Sequence, residues 1–151
     1  MVIDIITICI AIFALIISIV VAVNESQRET KINQINLEAE YYREIYKEHL
    51  VKGIPNARKY IGFTADGKLR DTKELRDELN TIRQDSLYFL YANKSYYVGL
   101  RKITQDLEDF LISNEDSIFE GEERTELLNE VQRKIRKLYK YISDNYLGKT
   151  L

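Results

Sequence analysis

Residues 2–23, VIDIITICIAIFALIISIVVAV, hold one charge, Asp4, and run without Gly or Pro into residues 24–52, NESQRETKINQINLEAEYYREIYKEHLVK. At a helical rise of about 1.5 Å per residue the first stretch covers roughly 33 Å, enough for a bilayer core of about 30 Å. It is expected to be a transmembrane helix. No basic region precedes it, and it is longer than the apolar part of a signal peptide, so an anchor is expected rather than a cleaved leader. Arg28 and Lys31 follow the span and no basic residue comes before it. Basic residues stay on the cytoplasmic side, which predicts an amino terminus outside and a cytoplasmic C-terminal domain.

The remainder is a different kind of chain. Of the 46 charged residues, 45 lie after residue 23, as do all eleven tyrosines, so the 45% hydrophobic average describes neither segment. A formal net charge of −2 argues against a dedicated nucleic-acid binder, which would carry a basic excess. The single cysteine, Cys9, sits in the apolar run and can form neither an intrachain disulfide nor a thiol metal cluster. There is no nucleophile–base arrangement, metal-ligand spacing or Gly-rich phosphate loop, so no enzyme activity, cofactor or metal is expected.

Within the span, the small and polar residues other than Cys9 share a face. On a wheel of about 100° per residue, Asp4, Thr7, Ala11, Ala14, Ser18 and Ala22 fall within about 80°. Small residues let membrane helices approach closely, and Ala14, Ser18 and Ala22 repeat at a spacing of four. Thr7, Ala11, Ala14, Ser18 and Ala22 are therefore expected to form a self-association face. Asp4 lies near the helix end, where a carboxylate reaches the interface cheaply. Beyond the span, Ile32, Ile35, Ala39, Tyr42, Tyr46 and His49 continue the same frame at alternating spacings of three and four. One helix from Val2 to Lys52 is expected, about 75 Å long. Its cytoplasmic face pairs either with a second copy or with the chain's own later helices. His49, the only histidine, reads as a partly buried residue of that face with no surrounding Cys, His or carboxylate constellation.

Gly53 and Pro55 end this stalk, and Pro55 can open a short helical turn. The segment 60–70, YIGFTADGKLR, reads equally as a small hairpin or a loop. Asp71 with Glu74 resembles a capping box for a helix carrying Leu75, Leu79 and Ile82. Asn93 or Ser95 can cap a second, with Tyr97, Leu100, Ile103, Leu107, Phe110 and Leu111 on one face. A third is expected from about Glu122 to Tyr146, with Leu128, Val131, Ile135, Leu138 and Ile142 in register and Gly148 just beyond. The fold class is all-α: a transmembrane helix over 1–23, a stalk over 24–52, and a cytoplasmic bundle over 53–151 completed by the stalk.

Arg133, Arg136, Lys137 and Lys140 cluster on one side of the final helix, opposite its apolar stripe. Such a face suits a small anionic ligand or an anionic surface. The acid-first charge order of the same helix, with Glu130 placed to pair with Lys134, suits a solvated face instead. Tyr88, Tyr91, Tyr96 and Tyr97 can stack on a base but serve equally as packing residues. These features predict a single-pass, membrane-anchored interaction or regulatory protein that self-associates, with a cytoplasmic protein or small anion as partner. An alternative is a membrane effector of an antiviral or toxin system, opening or disrupting the bilayer when its cytoplasmic domain is engaged. A lysis protein is a third reading, which requires the C-terminal domain to lie outside the cytoplasm.

Overall fold

A computed structural model of the chain describes residues 2–146, with the side chains of 12–33 and 35–146. The chain divides into two units, 1–40 and 41–151. Helix α1 (Val2–Ile45) accounts for the first unit and contributes its last five residues to the second. Among the described residues of the first unit the large apolar side chains are exposed: Phe13 is 68% exposed, Leu15 62% and Ile19 55%, around the whole circumference of the helix. Ile32 and Ile35 are exposed as well. The hydroxyl of Ser18 donates to the Ala14 carbonyl at 2.9 Å, so it is satisfied within its own helix. Among the described residues no helix is long and apolar enough to cross a membrane. The expected span begins at Val2, and the side chains of its first half, 2–11, lie outside the described residues, Thr7 and Ala11 of the small-residue face among them. What is described of the apolar run, 12–23, covers only about 18 Å at helical rise.

The second unit is predominantly helical, as expected. Regular α1 geometry stops at Ile45, and the chain continues as a π-helix over Tyr46–Gly53 in place of the α-helix expected through Lys52. The amide of Ile54 donates to the His49 carbonyl five residues back. The reason lies in the burial pattern. Ile45, His49, Leu50 and Ile54 are all buried, and their spacing exceeds an α turn, so i→i+5 bonding keeps them on one side. The stalk face accordingly divides, with Ile32 and Ile35 exposed and Tyr42 and His49 packed into the chain's own core.

After α2 (Ile54–Arg58), strands β1 (Gly62–Phe63) and β2 (Leu69–Arg70) pair antiparallel, so the segment is a hairpin. Gly67 turns it at φ +85°, and its carbonyl accepts from the Phe119 amide at 3.0 Å. A Cβ at Gly67 would stand 2.6 Å from the Phe119 carbonyl oxygen, so glycine is required both for the turn and for the contact. Helix α3 (Lys73–Asp85) is not capped by Asp71. The chain enters α3 through a left-handed Asp71, φ +58°, and the N-cap position falls on Thr72. Thr72 is fully buried and donates its hydroxyl to Glu115 at 3.2 Å, which ties the start of α3 to a residue 43 positions further along the chain.

Helices α4 (Tyr88–Ala92), α5 (Lys94–Glu115) and α6 (Glu122–Tyr146) follow. The aromatic-rich stretch between α3 and α5 is a junction, broken at Asn93, whose side chain accepts the Tyr96 amide at 3.1 Å and caps α5. The π segment touches α3 and α6, and α5 touches both of those, so the four close on one another as a bundle. Its core holds Leu75, Leu79 and Ile82 from α3, Leu100, Leu107 and Leu111 from α5, and Val131, Ile135, Leu138 and Ile142 from α6. On α6 the position read as Leu128 is only half-buried, and Leu127 takes the core place. At one end Tyr42, Phe89 and Tyr96 form a triangle with ring centroids 4.5, 4.7 and 4.8 Å apart, and Tyr141 stacks on Tyr96 at 5.6 Å. Tyrosine packs here rather than displays: Tyr96 is buried, Tyr88 and Tyr97 are half-buried, and only Tyr91 faces solvent.

Burial pushes the Tyr96 phenol well above its ordinary value, with Tyr42 and Tyr141 adding to the effect, and burial raises Tyr141 also. A raised acid stays protonated in the folded chain while its unfolded counterpart ionises. Stability from this source is complete below about pH 10 and falls as the pH rises through and beyond it. For Tyr96 alone the expected loss between pH 9 and 11 is about 1.4 kcal/mol in all, the slope steepening toward about 1.4 kcal/mol per pH unit above that range, read from denaturation midpoints. The Tyr96 hydroxyl has no hydrogen-bond partner among the described residues. Tyr96→Phe should therefore leave stability at pH 7 unchanged or raised, and should flatten that alkaline limb.

Candidate functional site

The junction between the π segment and α2 borders an apolar cleft with charged groups at its edge. Pro55 is the starting point. In i→i+5 bonding the Leu50 carbonyl would accept from residue 55, which as proline has no N–H, and the Ile54 amide is already given to His49. The carbonyl is satisfied from elsewhere: the hydroxyl of Tyr139 on α6 donates to it. That bond fastens the π segment to α6, and burial raises the Tyr139 phenol, with Tyr46 adding to the effect. Tyr139→Phe leaves a buried carbonyl without its donor and is expected to cost about 1–3 kcal/mol, measured as a lowered denaturant midpoint with an unchanged slope.

Beside this bond lies a cleft of about 370 Å³ between α2 and α6, lined by Ile54, Pro55 and Arg58 on one wall and Gln132, Ile135, Arg136 and Tyr139 on the other. Its floor is apolar, with Ile54 and Ile135 almost fully buried. The two charged groups in the lining are both guanidiniums, and no carboxylate is among them. The side chains of Arg58 and Arg136 have no hydrogen-bond or ion-pair partner among the described residues, and the Nε of Arg58 is buried without an acceptor. The cleft is thus apolar within, positive at its polar positions, and of a volume typical of small-molecule sites.

The four basic residues read on α6 have different surroundings. Arg133 is bound to Glu130 at 2.6 Å, which raises the guanidinium and holds the Glu130 carboxyl below its usual range. Lys134 reaches Asp106 on α5 at 2.9 Å and lowers that carboxyl in the same way. Lys137 lies with Arg133 over this acidic neighbourhood of Asp106 and Glu130. Lys140 is exposed. Of the four residues, only Arg136 lines the cleft. Arg58 was not singled out from sequence, because its partner in space is 78 positions away and nothing in the local pattern of α2 marks it.

His49 is buried as expected, but it does have carboxylate neighbours. Its Nδ1 lies 2.8 Å from Glu78 and its Nε2 3.0 Å from Asp85, both on α3. Two carboxylates seven residues apart lie on one side of a helix, and the π turn aims the imidazole between them. Gly53 makes room for this, since a Cβ there would meet the Glu78 carboxylate. The trio fastens the π segment to α3 as Tyr139 fastens it to α6. Among the described residues no group of His, Cys, Asp and Glu is placed to hold a metal ion. A comparison of the chain with protein-family models, curated proteins and solved structures finds no match in any of the three.

Proposed function

We propose that the chain is a single-pass, membrane-anchored helical interaction protein, held in the bilayer by residues 2–23 and acting through the bundle of its second unit. The observation that carries this reading is the exposure of the first unit's apolar side chains. Nine large apolar residues between Ile12 and Val23 are about half or more exposed. Water tolerates no such surface, and lipid or other apolar helices are what cover it. Arg28 and Lys31, close behind residue 23, support a cytoplasmic bundle. The small-residue face of Thr7, Ala11, Ala14, Ser18 and Ala22 supports self-association. Ser18 satisfies its own hydroxyl, so its contribution to such a face is close approach rather than an interhelical hydrogen bond.

Alkaline carbonate extraction of membranes, followed by protease treatment of spheroplasts, tests the reading. The chain should stay with the membrane pellet, and the bundle should resist protease added outside. Release by carbonate excludes the anchor; digestion from outside reverses the orientation and favours a lysis protein. A second reading, a membrane effector gated through the bundle, is favoured by one observation, the two unpartnered arginines of the cleft. It predicts depolarisation of expressing cells only when a ligand of the bundle is present.

A further inference from the structure

We infer that the cleft between α2 and α6 is a binding site for a small soluble amphiphilic oxyanion, a molecule with an apolar body and a phosphate or carboxylate head. The inference concerns the second unit alone and holds whether or not the first unit spans a membrane. Three features of the cleft point the same way. Its volume of about 370 Å³ suits a body of small-molecule size. Its inner surface is aliphatic and aromatic, from Ile54, Ile135 and Tyr139, so an apolar body displaces water there at a gain. Its charged groups are two arginines, and arginine forks match the geometry of carboxylate and phosphate oxygens.

The contrast with the other basic residues of α6 gives this specificity. Arg133 and Lys134 already hold carboxylates at 2.6 and 2.9 Å, whereas Arg58 and Arg136 hold none among the described residues. Lys137 and Lys140 also hold no carboxylate among the described residues, so what sets half-buried Arg58 and exposed Arg136 apart is that both line one apolar cleft. The Arg58 Nε is the sharper case, because it is withdrawn from water without an acceptor in the chain. A bound oxyanion supplies that acceptor. The same cleft abuts the Tyr139 bond that completes the π segment, so occupancy bears on the joint between the stalk residues and α6.

The test uses the full chain in non-ionic detergent micelles with isotopically labelled isoleucine methyls, which report from Ile54 and Ile135 themselves. Titration with 2-naphthyl phosphate should shift both methyls saturably with one dissociation constant, and 2-naphthol, the same body without the oxyanion, should bind at least about tenfold more weakly. Arg58→Gln with Arg136→Gln should weaken naphthyl phosphate by at least about tenfold. Arg58→Lys with Arg136→Lys should recover part of that loss, and Arg133→Gln should bind as the natural chain does. The unperturbed Ile methyl spectrum of each variant serves as the check on folding. Equal binding of naphthol, an unaffected double Gln variant, or no shift up to millimolar naphthyl phosphate each overturns the inference. Shifts at these methyls on adding phosphatidylglycerol to the micelles, with none from soluble naphthyl phosphate, overturn the soluble ligand in favour of a lipid headgroup.

Discussion

Phe89→Ala is expected to remove about 3–5 kcal/mol of unfolding free energy, a large share of the roughly 5–15 kcal/mol that holds a typical domain together. Phe89 is fully buried and is the one buried residue of α4. Its ring lies 4.5 Å from Tyr42, 4.7 Å from Tyr96, 5.3 Å from Tyr88 and 6.4 Å from Tyr41. Truncation leaves a cavity bounded by four rings that cannot collapse together, and it also forfeits aromatic pairings worth about 0.5–1.5 kcal/mol each beyond buried area. Because the only other core contact of α4 among the described residues is half-buried Tyr88, whose ring packs on Phe89, the junction between α3 and α5 loosens with it. Tyr91→Ala, two positions on and 88% exposed, is the matched control and should stay within about 0.5 kcal/mol of the parent. Helical circular dichroism against denaturant measures both. A Phe89→Ala midpoint equal to that of Tyr91→Ala contradicts the packing described.

Ile16→Arg combined with Val20→Arg should release the chain from membranes. Both side chains are about half exposed on the apolar run and lie on one side of α1 at a spacing of four. An arginine near the middle of a span costs about 2.5–3.5 kcal/mol on the insertion scale and less toward its end, so Ile16→Arg carries most of the cost and Val20→Arg, three residues from the end of the run, adds to it. That is enough to reverse insertion for a span of ordinary hydrophobicity. Ile16→Leu with Val20→Leu keeps the surface apolar and should leave the protein in the carbonate-resistant pellet. Retention of the double arginine variant in that pellet removes the case for residues 2–23 as the anchor.

The helices of the bundle were readable from the sequence where local chemistry and burial agree. Helix α6 begins at Glu122 as its apolar repeat implied and continues to Tyr146, the last described residue, while Gly148, read as its stop, lies outside the described residues; Asn93 caps α5 because a short polar side chain there meets a free amide. The failures share a cause. Asp71 looked like a cap by type and spacing, but the chain leaves β2 through a left-handed turn that only the packed hairpin specifies. The break from α to π at Tyr46 is likewise a tertiary outcome: the pattern of Ile45, His49, Leu50 and Ile54 is ambiguous until the core to which they point is known. His49 lacked visible partners because Glu78 and Asp85 lie 29 and 36 positions away. The basic cluster on α6 was visible as a set of charges but not as two groups. Arg133 pairs within α6, with Glu130, whereas Arg136 becomes a cleft residue only because α2 brings Arg58 and Pro55 opposite it. Sequence periodicity sees one helix face at a time, whereas a cleft is made by two.

The proposal of a membrane-anchored, self-associating protein turns on the first unit, and the mass of the detergent-solubilised full-length chain tests it most directly. Light scattering with the detergent contribution subtracted should return more than one copy of the 17.8 kDa chain per particle. Ala14→Leu with Ser18→Leu, which fills the small-residue face without adding charge, should return one copy. A monomeric parent chain, or a double leucine variant that assembles as the parent does, contradicts assembly through that face.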